Sequence, residues 1–113
     1  MQVLFESRDP QAAPFRELAV HRVRFAMRRL AWLVPRAKVQ LSDTNGPRGG
    51  VDKCCRVELS LASGGPVVIT AVARDWRSAM DSAIGRAARA LVNLWRRSRR
   101  HEHLRHPALG LDR

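Results

Sequence analysis

Two basic side chains, Arg48 and Lys53, lie in a glycine-rich stretch that the sequence predicts to be the tip of a hairpin. Residues 41–53 read LSDTNGPRGGVDK. The Asn-Gly-Pro run and the glycine pair after it favour a turn, because Asn and Gly accept positive φ and Pro cannot donate to a strand ladder. A turning chain leaves backbone N–H groups unpaired, and these groups suit phosphate oxygens when cations lie beside them. The stretch is therefore predicted to bind an anion.

The same glycines do not form a nucleotide-binding motif. No Gly-Lys-Ser/Thr follows them, and no Gly-x-Gly-x-x-Gly opens a helix. The chain also has no Ser or Cys next to a general base and no His-x-x-x-His on a predicted helix, and Asp43 and Asp52 are interpreted as turn-stabilising residues at the two ends of the stretch. We therefore predict that the protein is not an enzyme, uses no cofactor and binds no small-molecule substrate.

The chain as a whole is strongly basic. Its 21 Lys and Arg against 10 Asp and Glu give a net charge of +11 over 113 residues. Only Lys38 and Lys53 are lysines, and the guanidinium fork of arginine suits bidentate contacts to phosphates and base edges. A field of this sign concentrates polyanions around the protein, so nucleic acid is the leading partner. An anionic membrane surface would attract the same charge.

The longest predicted helix carries a basic stripe. Asp75 is a suitable N-cap, and apolar residues recur at helical spacing from Trp76 to Leu94. At about 100° per residue, Asn93 and four arginines fall in an arc of about 80° opposite the apolar half. Charges of one sign on one face repel each other unless a polyanion neutralises them; the alternative is a merely solvated face. The four arginines are Arg86, Arg89, Arg96 and Arg100.

An earlier helix is predicted from Pro14 to Leu33, and Pro35 ends it. One apolar series along it should face the core. A second stripe lies on the flank of the first, with Arg22 and Arg29 interleaved, and we expect it to pack against another helix; the alternative is that its aromatic rings stack on nucleobases beside the arginines. The core series is Phe15, Ala19, Val23, Ala26, Leu30 and Leu33, and the second stripe is Leu18, Phe25 and Trp32.

Four runs read as strands, at residues 2–7, 36–42, 54–61 and 67–73. The resulting order β-α-β-β-β-α predicts an α+β sandwich, a four-stranded mixed sheet with two helices packed on one face. The helical connection makes the first two strands parallel, and the hairpins make the others antiparallel. A helix, three antiparallel strands and a helix also occur in this order in double-stranded-RNA-binding domains, which is an analogy of architecture.

Two segments resemble a known family, the ribosome hibernation-promoting factors, also called the protein Y or ribosome-associated inhibitor family. Residues Ser42 to Cys54 (SDTNGPRGGVDKC) look like its central hairpin, and Asp75 to Asp81 (DWRSAMD) look like the start of its last helix. The resemblance covers roughly residues 1–100 and implies the same four-stranded sheet. It further implies binding to rRNA in the decoding region of the small ribosomal subunit, where the protein would block mRNA and tRNA sterically and keep ribosomes idle under stress.

On this interpretation the partner is the small ribosomal subunit, alone or within the whole ribosome, and the protein is a monomer when it is not bound. The alternative is a stand-alone double-stranded-RNA-binding or RNA-chaperone module. A membrane-surface protein is disfavoured, because the alternating strands need the apolar face of the last helix as core. Phosphate contact is assigned to Arg22, Arg28, Arg29, Arg48, Lys53, Arg86, Arg89, Arg96 and Arg100.

Residues 1–100 are predicted to form the ribosome-binding domain, and residues 101–113 a flexible basic tail in which Pro107 and Gly110 break helical periodicity. The tail histidines lack partner cysteines or a fixed helical spacing, so no metal site is predicted. The N-terminus shows no secretory h-region and no apolar run reaches about 20 residues, which predicts a cytoplasmic protein. Cys54 and Cys55 are adjacent and are expected to stay reduced.

Overall fold

The computed structural model of the chain describes residues 1–44 and 52–110, with side chains described as far as Arg99. The predicted α+β class and the order β-α-β-β-β-α are confirmed, with two short 3₁₀ helices added around the first α-helix. The elements are β1 (Gln2–Ser7), a 3₁₀ helix (Pro10–Phe15), α1 (Arg16–Ala26), a second 3₁₀ helix (Ala31–Leu33), β2 (Arg36–Asp43), β3 (Lys53–Ser60), β4 (Pro66–Ala73) and α2 (Trp76–Gly110).

The four strands form one mixed sheet in the order β1-β2-β3-β4. Strands β1 and β2 are parallel because α1 returns the chain to the same end of the sheet, and the two hairpins make the other pairs antiparallel. Val57 of β3 lies opposite Val39 of β2 and Ile69 of β4. The β3–β4 connection turns at Gly64 and Gly65, whose φ values of 94° and 82° favour glycine.

Both helices cover one face of the sheet and enclose a single core. Helix α2 crosses β3 and β4, while α1 packs against β1 and α2. Alternate residues of β2, Ala37, Val39 and Leu41, are fully buried beneath them. The period-2 pattern of the strands thus places one apolar face under the helices and leaves the polar face uncovered.

Helix α1 is shorter than the sequence predicted. It ends at Ala26, and 3₁₀-type hydrogen bonds follow, from the amide of Leu30 to the oxygen of Met27 and from the amide of Leu33 to that of Leu30. The change from 3.6 to about three residues per turn rotates the chain, so Met27 is buried and Ala26, which was predicted to face the core, is exposed. The prediction of one helix as far as Leu33 was therefore wrong.

Helix α2 is longer than predicted, since it continues beyond residue 100 to Gly110. Residues 101–106 contain no glycine or proline, so nothing in their composition ends a helix there. The flexibility of residues 101–113 and the domain boundary at residue 100 stay predictions. Within residues 1–44 and 52–110, no helix is apolar over a sufficient length to cross a bilayer.

Candidate nucleic-acid interface

Helix α2 presents its arginines because its apolar half is held in the core. Asp75 caps the helix, and its Oδ1 accepts a hydrogen bond of 2.7 Å from the Ser78 amide. One side of the helix is then buried against the sheet, through residues such as Met80, Ala83 and Leu91. The opposite side carries Arg86, Arg89 and Arg96, all of which are exposed.

The exposed side of α2 has a single sign of charge. Between Asp81 and Glu102 the sequence contains no acidic residue. Within the described part of the chain, Arg86, Arg89 and Arg96 form no ion pair, and the one polar contact among them is a 3.3 Å hydrogen bond from Arg86 Nη1 to a β4 carbonyl oxygen. Uncompensated guanidinium groups on a rigid helix are suited to a row of phosphates.

A shallow groove of about 350 Å³ runs along this side of α2, lined by Arg89 and Arg96 with Asn93 between them. Arg97 adjoins it and is also exposed. Sequence reasoning missed Arg97, although on the helical projection it lies only about 20° beyond Arg86, so the same calculation extended by one position identifies it. We call the exposed side formed by Arg86, Arg89, Asn93, Arg96 and Arg97 the α2 arginine face.

The three predicted arginines of the α1 region have different surroundings. Arg22 forms an ion pair with Asp81 of α2, so its charge is compensated inside the protein. Arg28 follows the end of α1, where its Nη1 donates 2.8 Å to the Phe25 carbonyl oxygen and its guanidinium lies 4.2 Å from the centre of the Phe25 ring. Arg29 is exposed and, among the described residues, has no acidic partner.

Lys53 lies in a cluster at the base of the β2–β3 hairpin. Its Nζ is 2.7 Å from Asp43 Oδ2, 3.5 Å from Asp52 Oδ1 and 5.1 Å from the centre of the Trp76 ring, while Trp76 Nε1 donates 3.1 Å to the Ser42 carbonyl oxygen. The hydrogen bond to Asp43 raises the pKa of Lys53 above its ordinary value, although partial burial acts the other way. The cluster neutralises Lys53 locally and fixes the ends of β2 and β3 on either side of the glycine-rich residues 45–51.

The remaining predicted residues cannot be placed in the same way. Arg48 falls in residues 45–51, which lie outside the described residues. Arg100 belongs to α2, but its side chain is not among those described. Of the nine predicted residues, the structure thus brings Arg86, Arg89 and Arg96 together on one surface. It gives Arg22 and Lys53 partners within the protein, and phosphate contact by any of the nine stays a prediction.

The aromatic stripe of the α1 region does not pack as expected. Leu18 is half-buried, but the side chains of Phe25 and Trp32 are 60% and 67% exposed. The prediction that the stripe packs against another helix was wrong for both rings. The early end of α1 is the cause for Trp32, because the 3₁₀ turn directs Leu30 and Val34 into the core and Trp32 to the opposite side.

This element order, with its mixed sheet and two helices on one face, defines a known class of α+β domain. The structure is similar to that of a ribosomal subunit interface protein from Coxiella burnetii, with a TM-score of 0.67 and 12% identity over 83% of this chain and 97% of that one. It is also similar to the N-terminal domain of Protein Y from Thermus thermophilus, with a TM-score of 0.61 and 20% identity over 83% and 99% of the two chains. The fold expected from the sequence resemblance is therefore confirmed.

No protein-family model matches this sequence, and no curated protein is significantly similar to it.

Proposed function

We propose that the protein is a ribosome-associated factor that binds rRNA of the small subunit and inhibits translation by occupying the decoding region. The observation that carries the proposal is the α2 arginine face, a row of exposed guanidinium groups that form no ion pair with any described carboxylate. The fold of the protein is also similar to that of a solved structure described as a ribosomal subunit interface protein. In this proposal the protein acts in the cytoplasm, on the small subunit alone or within the whole ribosome.

The proposed mechanism needs no covalent chemistry. Arginines on a rigid helix replace the cations that normally surround folded RNA, and each phosphate contact releases counterions into solution. Because the two helices and the sheet share one core, the body cannot flatten when it binds. It therefore excludes mRNA and tRNA from the occupied site by volume, and translation stops while the protein stays bound.

Co-sedimentation with purified small subunits over a range of salt concentrations tests the proposal. If six to ten phosphates are neutralised, the affinity should fall on the order of a thousandfold between 50 and 200 mM salt. The same titration with a plain RNA duplex separates the proposal from a general double-stranded-RNA-binding module. Equal affinity for the duplex and the subunit, or no binding to the subunit, would contradict the proposal.

A further inference from the structure

Trp32 is mostly exposed to solvent, whereas the other two tryptophans are buried or half-buried. Trp76 is only 6% exposed, meets the Phe15 ring edge to face and donates a hydrogen bond through Nε1. Trp95 is half-buried and lies beneath the guanidinium of Arg99 at 5.1 Å. Trp32 has no ring or cation partner among the described residues, and two thirds of its surface is open.

The ring of Trp32 is carried by a rigid segment. Two 3₁₀ hydrogen bonds hold its backbone, from the Leu33 amide to the Leu30 oxygen at 2.9 Å and from the Val34 amide to the Ala31 oxygen at 3.0 Å. The Ala62 amide also donates 2.8 Å to the Leu33 oxygen, which joins this segment to the end of β3. An aromatic side chain on a fixed backbone loses little conformational entropy when it stacks on a ligand.

The surroundings of Trp32 indicate the charge of its partner. From Leu18 to Ser42 the sequence contains no acidic residue and six basic ones. Arg22 pairs with Asp81 and Lys38 with Glu6, while the other four form no ion pair among the described residues. Phe25 belongs to the same stretch, is also mostly exposed and already pairs with the guanidinium of Arg28. Apolar rings set among cations suit a ligand that has both a flat π-surface and negative charge, and a nucleotide of single-stranded RNA has both. The six basic residues are Arg22, Arg24, Arg28, Arg29, Arg36 and Lys38.

We propose that the exposed ring of Trp32 is a stacking site for unpaired nucleobases of single-stranded RNA, and that Phe25 beside Arg28 offers a second ring to the same strand. The site is separate in kind from the α2 arginine face, because a stacked base is bound through its π-surface, whereas the arginine face binds phosphates of any sequence. Paired bases in a duplex are stacked on each other and cannot lie on Trp32. The inference rests on the proposed function in that the unpaired base would belong to the bound rRNA.

The experiment titrates the full chain with an oligouridine of about ten nucleotides, within the usual site size for single strands, and follows tryptophan fluorescence and anisotropy. The bound base should quench Trp32, and Trp32→Ala should abolish this quenching and weaken binding about 5- to 150-fold. Trp32→Phe keeps a stacking surface, so it should restore most of the affinity without the quenching. Phe25→Ala should also weaken binding, while Val72→Ala, which changes an exposed apolar residue of the uncovered sheet face, should have no effect.

Unchanged oligouridine binding in both Trp32→Ala and Phe25→Ala would overturn the inference. So would an equal effect of Trp32→Ala on a duplex of the same length. Binding that depends on Trp32 to vesicles of phosphatidylcholine and phosphatidylserine, without binding to oligouridine, would assign the rings to a membrane surface instead. If the inference fails while salt-dependent binding to the small subunit persists, the proposed function stands; if the subunit is not bound but oligouridine is, the proposed function fails alone.

Discussion

The uncovered face of the sheet and the α2 arginine face are both open to solvent, but they differ in how charge is arranged. On the sheet face, Lys38 Nζ lies 3.4 Å from Glu6 Oε2, Gln40 Nε2 donates 2.8 Å to Glu6 Oε1, and Arg56 Nη2 lies 3.8 Å from Glu58 Oε2. Lys38 and Arg56 of this face therefore each have a carboxylate within ion-pair distance, whereas the exposed Arg36, on the same face of β2, has none among the described residues. On the α2 arginine face, no described cation has one.

This difference shows why net charge alone does not locate a binding surface. A chain with +11 could spread its excess evenly, but here the acidic residues accompany the basic ones on the sheet and at the hairpin base. Paired surface charges attract a polyanion weakly because the fields of the two opposite charges largely cancel at distances beyond their separation. The excess is left on α2 and on the arginines from Arg24 to Arg36, the segment that carries Trp32, and these are the regions that we assign to RNA.

The largest expected effect comes from reversing the charge of the α2 stripe. The quadruple change of Arg86, Arg89, Arg96 and Arg100 to Glu should weaken binding to the small subunit on the order of a thousandfold and abolish inhibition of translation in vitro. Circular dichroism should stay unchanged, because the described members of this set are exposed. Inhibition of translation that survives this change in a folded protein would place the binding surface elsewhere.

The second prediction concerns Lys53, which the structure pairs with carboxylates. Lys53→Met should lower the thermal midpoint of unfolding, because it removes the cation that lies 3.5 Å from the fully buried Asp52 carboxylate and 2.7 Å from Asp43. The pKa of Lys53 is raised from its ordinary value of 10.5, so its contribution is complete below that pH and is lost as pH rises through the raised value. The difference in unfolding midpoint between the wild type and Lys53→Met should therefore disappear in strongly alkaline solution.

The same variant separates a positioning role from phosphate contact. If Lys53 only fixes the hairpin base, the Lys53→Met variant should show the same dependence of log affinity on log salt concentration as the wild type. If Lys53 contacts a phosphate, the Lys53→Met variant should show a salt slope reduced by about one. A reduced slope with an unchanged unfolding midpoint would contradict the positioning role of Lys53.

The third prediction tests the cap that begins α2. Asp75→Ala should lower the unfolding midpoint on the order of 5 °C, since the Ser78 amide loses its acceptor. That hydrogen bond lowers the pKa of Asp75 below its ordinary 3.8, so the stabilisation is present above this pH and is lost as pH falls through the lowered value. Ser82→Ala, an exposed change on the same helix, is the matched control and should leave the midpoint nearly unchanged.

The smallest effect concerns the two free cysteines, which lie on opposite faces of the sheet. Burial raises the pKa of Cys55 to about 12, whereas Cys54 is half-buried beside Arg56 in a hollow of the uncovered face. At about pH 8, iodoacetamide should modify Cys54 alone, and Cys55 only after unfolding, because the thiolate is the reactive form. The modified residues are identified by mass spectrometry of tryptic peptides. Equal modification of both cysteines in the native protein would contradict the prediction.

The sequence predicted the sheet well because its strands carry local information. Val39 and Val57 alternate with polar neighbours, and a one-residue slip would turn every apolar side chain to water. The α2 stripe was predictable for the same reason, since a capped helix with no internal break keeps its phase. The ion pair of Lys53 was also accessible, because Asp43 and Lys53 lie directly opposite each other once the hairpin register is assigned.

The end of α1 could not be predicted because it depends on tertiary contacts. Ala26 and Met27 are both apolar, so periodicity alone does not decide which of them faces the core. The 3₁₀ turn is held by the hydrogen bond from the Ala62 amide to the Leu33 oxygen, between residues that are distant in the sequence. The exposure of Trp32 follows from this turn and was therefore also beyond local reasoning.

The most direct test of the central claim compares two double variants with the same net charge. Arg89→Gln/Arg96→Gln removes two cations from the α2 arginine face. Lys38→Gln/Arg56→Gln removes two cations from the uncovered face of the sheet, where both form ion pairs. Binding to small subunits is measured for each across a salt series. We predict that the first variant reduces the salt slope by about two and the second leaves it unchanged. Equal reductions in both variants would contradict the account, because binding would then follow total charge rather than the α2 arginine face.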